Sequence, residues 1–205
     1  MTLAELDPAQ LARARAGDPR AFRALYDHHA DPVFRFVGRM LRDQAAAEDV
    51  LQEVFVRVFS ALPRFDPAGP ARLSTWIFTI ARRVALTAIE RTSQLRLHQE
   101  NHPAPQSCVN AQPDLRLALE AAVAELPEAM RSTFVLRECC ELSYDEIAVI
   151  EAIDVGTVKS RLHRARATLA ARLTQEQDQQ DNRAPDTARD TVEERQRHEV
   201  RAARG

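Results

Sequence analysis

Between Val155 and Leu173 the chain carries Lys159, Arg161, Arg164, Arg166 and Arg172 and no acidic residue. Cationic side chains repeated on a helix suit a polyanion backbone rather than a reaction. At 100° per residue Val158, Leu162, Ala165 and Leu169 fall in a narrow apolar stripe between about 340° and 40°. Gly156, Lys159, Ser160, His163 and Arg164 lie opposite, between about 100° and 240°, on the face a recognition helix places in a major groove. Arg161 and Arg166 flank the stripe at about 300° and 80°, where guanidinium groups reach phosphates. The competing explanation, a merely solvated face, usually mixes signs, and no carboxylate stands between Asp154 and Glu176. Elsewhere no nucleophile and base constellation, phosphate loop or paired-carboxylate site stands out, so no enzyme, metal or cofactor is expected. His98, His102 and Cys108 have spacings that suit a metal, and Cys139-Cys140 suits redox chemistry. Polar linker residues and small buried hydrophobes are the commoner explanations.

The elements that must position these residues are helical, because apolar residues recur at helical spacing and period-two alternation is not sustained. Helices are expected over residues 8–29, 31–41, 45–62 and 74–91, then 114–125, 127–140, 143–151 and 155–173. Asp66-Pro67-Ala68-Gly69-Pro70 is a breaker, and the stretch 95–113, with Pro103, Pro105 and Pro113, is a linker. Ser143-Tyr144-Asp145-Glu146 has the form of a capping box, and Asp154 is placed to cap the helix after it. Ile147 and Ile150 supply the apolar side of the first helix of this helix-turn-helix. In the third helix Val50, Leu51, Val54, Phe55, Val58 and Leu62 occupy one broad apolar arc. Asp49, Gln52, Glu53 and Val56 cluster on the outer side, a mixed face open to either solvation or a protein partner. The fourth helix buries Trp76, Ile77, Ile80, Ala81 and Val84, and leaves Arg72, Arg82, Arg83 and Arg91 outside.

Charge by segment agrees with two DNA-facing surfaces. The 205 residues carry 28 basic and 30 acidic side chains, a net of -2, and every basic residue but Lys159 is Arg. From Arg72 to His98 five Arg face one Glu, whereas residues 101–154 hold three Arg against ten acids. Two basic islands in an acidic background are the footprint of contact with polyanion at two places. Residues 174–205, with eight acids and six Arg, lack the apolar content for a core. No apolar stretch reaches the roughly 18 residues of a membrane span, and the N-terminus lacks the apolar run of a signal peptide, so a cytoplasmic protein is expected. Three cysteines, two of them adjacent, give no disulfide framework.

Both halves of the chain resemble bacterial sigma-70-family factors of the extracytoplasmic function (ECF) group. Ala47-Glu48-Asp49-Val50-Leu51-Gln52-Glu53-Val54-Phe55 is similar to the family's helix for docking on the clamp helices of the RNA polymerase beta-prime subunit. Ser74-Thr75-Trp76-Ile77-Phe78-Thr79-Ile80-Ala81-Arg82 resembles the segment that opens and reads the -10 promoter element. Leu126-Pro127, Leu142-Ser143-Tyr144-Asp145-Glu146-Ile147-Ala148 and Gly156-Thr157-Val158-Lys159-Ser160-Arg161-Leu162-His163-Arg164-Ala165-Arg166 resemble the domain that binds the -35 element. The resemblance implies an all-α protein of two small helical domains joined by a flexible linker. Residues 1–94 would form region 2, 95–113 the linker and 114–173 region 4, a helix-turn-helix of winged-helix-like type; 174–205 is a polar tail.

The same resemblance implies the site residues. Asp49, Gln52, Glu53 and Val56 would bind core polymerase. Arg72, Trp76, Arg82 and Arg83 would serve the -10 element, and Thr157, Lys159, Ser160, Arg161, His163 and Arg164 the -35 element. The implied partners are the beta-prime clamp and beta flap of core RNA polymerase and promoter DNA. An anti-sigma factor is a further implied partner, covering these same surfaces, although no residue signals it. The competing class is a LuxR-type helix-turn-helix activator, which has no use for the Asp49 helix followed by the Trp76 segment. The chain also departs from the family's habit: Arg83 stands where Asn is usual, Thr87 where Asp is common, and Glu141 and Ala152 where Gly is usual. A non-Gly residue in a left-handed turn costs roughly 1 to 2 kcal/mol, so either those turns are not left-handed or the domain gives up some stability.

Overall fold

A computed structural model describes residues 5–98 and 115–181 of the chain. Every regular element among them is helical: α1 (Pro8–Arg15), α2 (Pro19–Leu41), α3 (Gln44–Ala61), α4 (Leu73–His98), α5 (Leu115–Ala124), α6 (Glu128–Glu138), α7 (Tyr144–Glu151) and α8 (Val155–Asp181), with one 3-10 turn at Leu62–Arg64. The helical periodicity of the sequence therefore translates directly into elements. Some boundaries differ from expectation: the first break falls at residues 16–18 and α2 runs unbroken through Pro32, while α4 runs on to His98, past its expected end at residue 91. Gly17 takes φ 88°, and Asp18 accepts the Arg20 N–H at 2.9 Å with Pro19 in the first turn. Glycine, capping side chain and proline in that order make a strong helix start. Pro32 costs a backbone hydrogen bond. Buried Val33, Phe36, Val37 and Met40 hold the helix together beyond it.

Around α2, the helices α3 and α4 pack their apolar arcs inward. Val54, Val58, Leu62, Ile77 and Ala81 are fully buried, and the rings of Phe36 and Phe78 meet edge to face at 5.9 Å. Helix α8 closes the second set with the predicted stripe, since Val158, Leu162, Ala165 and Leu169 are all buried. Its helical course continues to Asp181, into what the composition marks as a polar tail. Of the expected linker, 95–113, the first part up to His98 is the end of α4; residues 99–114, with His102 and Cys108, lie outside the described residues, as do residues 182–205.

The two sets also pack directly on each other, α4 against α7 and α2 against α5 and α6. Buried Cys140 donates its thiol to the Pro32 carbonyl at 3.8 Å, and Arg42 Nη1 donates to the Ala124 carbonyl at 3.4 Å. No helix among the described residues is long and apolar enough to cross a membrane.

Candidate nucleic-acid and polymerase interfaces

Local rules position the turn before α8. Ser143 accepts the Glu146 N–H at 3.2 Å, while Glu146 accepts the Ser143 N–H at 2.8 Å, closing the capping box. Ala152 then turns the chain at φ 54°, and Glu141 does the same at φ 56° ahead of α7. Both turns are left-handed without glycine. Asp154 caps α8, accepting the Thr157 N–H and the Thr157 hydroxyl, each at 2.7 Å, and these bonds hold its carboxyl below the usual range. Gly156 makes room for that cap, because a Cβ there would stand 2.9 Å from Asp154 Oδ1.

The proposed groove-facing residues of α8 are free of the fold. Lys159, Ser160, His163 and Arg164 are exposed, and Arg164 lies along its own helix, donating to the Ser160 carbonyl at 3.3 Å. Thr157 is committed to Asp154. The two flanking arginines are drawn to carboxylates. Arg166 reaches Glu138 at 2.6 Å, a bond that raises its already high pKa, and Arg161 reaches Glu151 at 3.2 Å.

On α3 the outer face is open. Asp49 and Gln52 are exposed, Val56 is 64% exposed, and Glu53 pairs with Arg57 at 2.5 Å one turn on. An exposed Val among acidic and amide side chains is a mixed surface of the kind that protein partners cover.

The start of α4 is far more enclosed. Ser74 donates to Glu5 at 2.7 Å, Thr75 faces Glu146 at 3.5 Å, and both residues are buried. Arg72 stands 3.9 Å from the same Glu146, Trp76 is half-buried against Phe65, and Arg83 is exposed. Arg82 turns inward to Glu151 at 3.0 Å.

Glu151 is therefore one point at which the two helical sets meet. Its side chain is fully buried. One carboxylate oxygen accepts the Ser132 hydroxyl, and the other receives both Arg82 Nη2 from α4 and Arg161 Nη1 from α8. A charge taken so far out of water requires partners of this kind. Expectation from the sequence missed this residue, although a signal exists: Glu151 follows Ile147 by four, and so shares its buried face.

Two family models match the chain, Sigma-70 region 2 over residues 25–94 and Sigma-70, region 4 over residues 116–169. A relative, the ECF RNA polymerase sigma factor SigL of Mycobacterium tuberculosis, is 35% identical over 176 residues, spanning 81% of this chain and 95% of its own. The chain belongs to the ECF group of the sigma-70 family. This sigma factor is also 29% identical over 180 residues to the ECF RNA polymerase sigma factor SigW of Bacillus subtilis, across 80% of this chain and 95% of the relative. Among solved structures, CnrH in complex with the cytosolic domain of CnrY is similar with a TM-score of 0.63 at 26% identity, covering 81% of this chain and 96% of that one.

In this sigma factor the region 2 match takes in the α3 face and the Trp76 segment, and the region 4 match takes in the helix-turn-helix. The LuxR-type alternative loses its ground, since it offers no counterpart to region 2. Among the described residues no group of three His, Cys, Asp or Glu is placed to hold a metal ion. Cys139 and Cys140 are both free thiols, and burial pushes both up in pKa, Cys140 to about 12. That is the direction opposite to a reactive thiolate.

Proposed function

We propose that this sigma factor binds core RNA polymerase and directs it to promoters, reading a -10 element with residues 1–94 and a -35 element with residues 114–173. One observation carries the reading: regions 2 and 4 of the sigma-70 family occur on one chain in that order. Asp49, Gln52, Glu53 and Val56 meet the beta-prime clamp, and the exposure of Asp49, Gln52 and Val56 on α3 supports this. Region 4 meets the beta flap while Lys159, Ser160, His163 and Arg164 enter the major groove, with Thr157 and Arg161 at its edge. Arg72, Trp76, Arg82 and Arg83 serve the -10 element, where unstacked bases and backbone charge both contribute to affinity.

The polymerase performs the chemistry, and the sigma factor supplies recognition and duplex opening with no cofactor of its own. Family membership extends the reading to an anti-sigma factor that covers these surfaces. In-vitro transcription with core polymerase, with and without the chain, tests the proposal. Promoter-specific transcripts that appear only when the chain is added support it, and their start sites give the promoter sequence. Core polymerase that initiates identically with and without it overturns it.

A further inference from the structure

Arg82 and Arg161 belong to different DNA surfaces, yet one buried carboxylate holds both. The same contact brings α7 over the start of α4, where Thr75 is buried and Glu146 faces Thr75 and Arg72. The exposed face of α8 remains open, and of the -10 residues Arg72 and Arg83 are exposed and Trp76 is half-buried against Phe65, whereas Arg82 is turned inward beside the buried Thr75. Resting on the sigma-factor reading, we propose that Glu151 is an autoinhibitory latch: it holds the free chain closed, and its release uncovers Thr75 at the start of α4 and frees Arg82 and Arg161 together.

The cluster has the chemistry of a reversible catch. Within region 4 alone, Glu151 keeps the Ser132 hydroxyl and Arg161, so opening costs it Arg82 and exposes it to water without stranding the charge. Arg82 is the more dependent partner: its Nε is already buried without a hydrogen bond. Phosphate offers that guanidinium a bidentate acceptor in exchange. A closed state of this kind weakens DNA binding by the fraction of molecules that are open, even when the open form binds well. A chain latched in this way should bind DNA weakly until a partner holds it open.

Cys140 supplies the reporter, because it is buried beneath Pro32 of α2. With Cys108 and Cys139 replaced by Ser it is the sole thiol of the three in the chain. In that background Glu151→Gln should react with a thiol reagent about tenfold faster or more, and should bind a labelled single-stranded oligonucleotide of random sequence tighter by a similar factor. Circular dichroism checks the fold. If Glu151→Gln unfolds, Arg82→Gln removes the same contact from the region 2 side, and faster labelling of that folded variant supports the latch. Unchanged labelling in a folded variant overturns it, as does faster labelling without tighter oligonucleotide binding by Glu151→Gln. Transcription with core polymerase separates the two proposals. If the parent chain directs transcription but labelling is unchanged, only the latch fails; if labelling rises but no chain directs transcription, the sigma-factor reading fails.

Discussion

The indole of Trp76 lies 5.0 Å from the ring of Phe65, centroid to centroid, with the planes tilted by 41°. Phe65 itself is buried, so the indole is anchored on one side and half-open on the other. An aromatic held this way can take over stacking from a displaced base with little loss of side-chain freedom. Trp76→Ala should therefore lower open-complex formation by about tenfold or more, the equivalent of one base stack. Binding to core polymerase should persist. A template already melted over the -10 element should restore transcription, and failure of that rescue would place Trp76 in packing alone.

On the α3 face the expected effect is the reverse. Glu53 and Arg57 form an exposed pair one helical turn apart, worth about 0.3 to 0.5 kcal/mol. Asp49→Arg combined with Glu53→Arg should thus leave the thermal midpoint nearly unchanged. Affinity for core polymerase, measured by competition with a second sigma factor, should fall at least about tenfold. Undiminished association would remove α3 from the interface.

Much of this arrangement was legible in the sequence, and what was not has a physical cause. The stripe of Val158, Leu162, Ala165 and Leu169 and the capping box at Ser143 depend on residues a few positions apart, and both stand in the fold. The start of α2 was equally local, written in Gly17, Asp18 and Pro19, but Pro32 drew the expected break to the wrong place. Burial on both sides of Pro32 outweighs its missing hydrogen bond, and burial is a tertiary property. The Glu151 cluster joins positions from Arg82 to Arg161, so no spacing rule reports it. Arg82 and Arg161 were legible as cations available to phosphate, whereas their occupation by a carboxylate was not.

Arg164 offers a test of the proposed -35 recognition. Its hydrogen bonds run back to Ser160 on its own helix, so its removal strands no buried partner. Arg164→Ala should weaken binding of the holoenzyme to the promoter by about 1 to 3 kcal/mol at one base position and relax specificity there. Association with core polymerase should be unchanged. Equal loss of both would deny the division of labour between α3 and α8.

Ala152 offers a stabilising change. It holds φ 54° at the end of α7, where its exposed methyl contributes little packing. Ala152→Gly removes a left-handed cost of roughly 1 kcal/mol, less the extra freedom glycine gives the unfolded chain. The urea midpoint should rise modestly and promoter binding should not weaken. Reduced affinity for the -35 element would show that the side chain at this turn takes part in recognition.

His29 sets an acid limit on the fold. The residue is 1% exposed, both ring nitrogens lack a hydrogen-bond partner, and burial, followed by the neighbouring His28, lowers its pKa from 6.5 to about 4. Above pH 6.5 the ring is neutral in both folded and unfolded chains, and the full stability is present. As the pH falls below that value the unfolded chain takes up a proton that the folded chain refuses, so stability declines until the pH reaches about 4. The loss from this group should be about 2 kcal/mol by pH 5 and approach about 3 kcal/mol near pH 4. His29→Phe fills similar space with no polar atom to satisfy, and should flatten the dependence while holding or raising stability at neutral pH. Urea unfolding of parent and variant between pH 7 and pH 5 measures the difference, and parallel profiles would mean that His29 finds a partner for its proton within the fold.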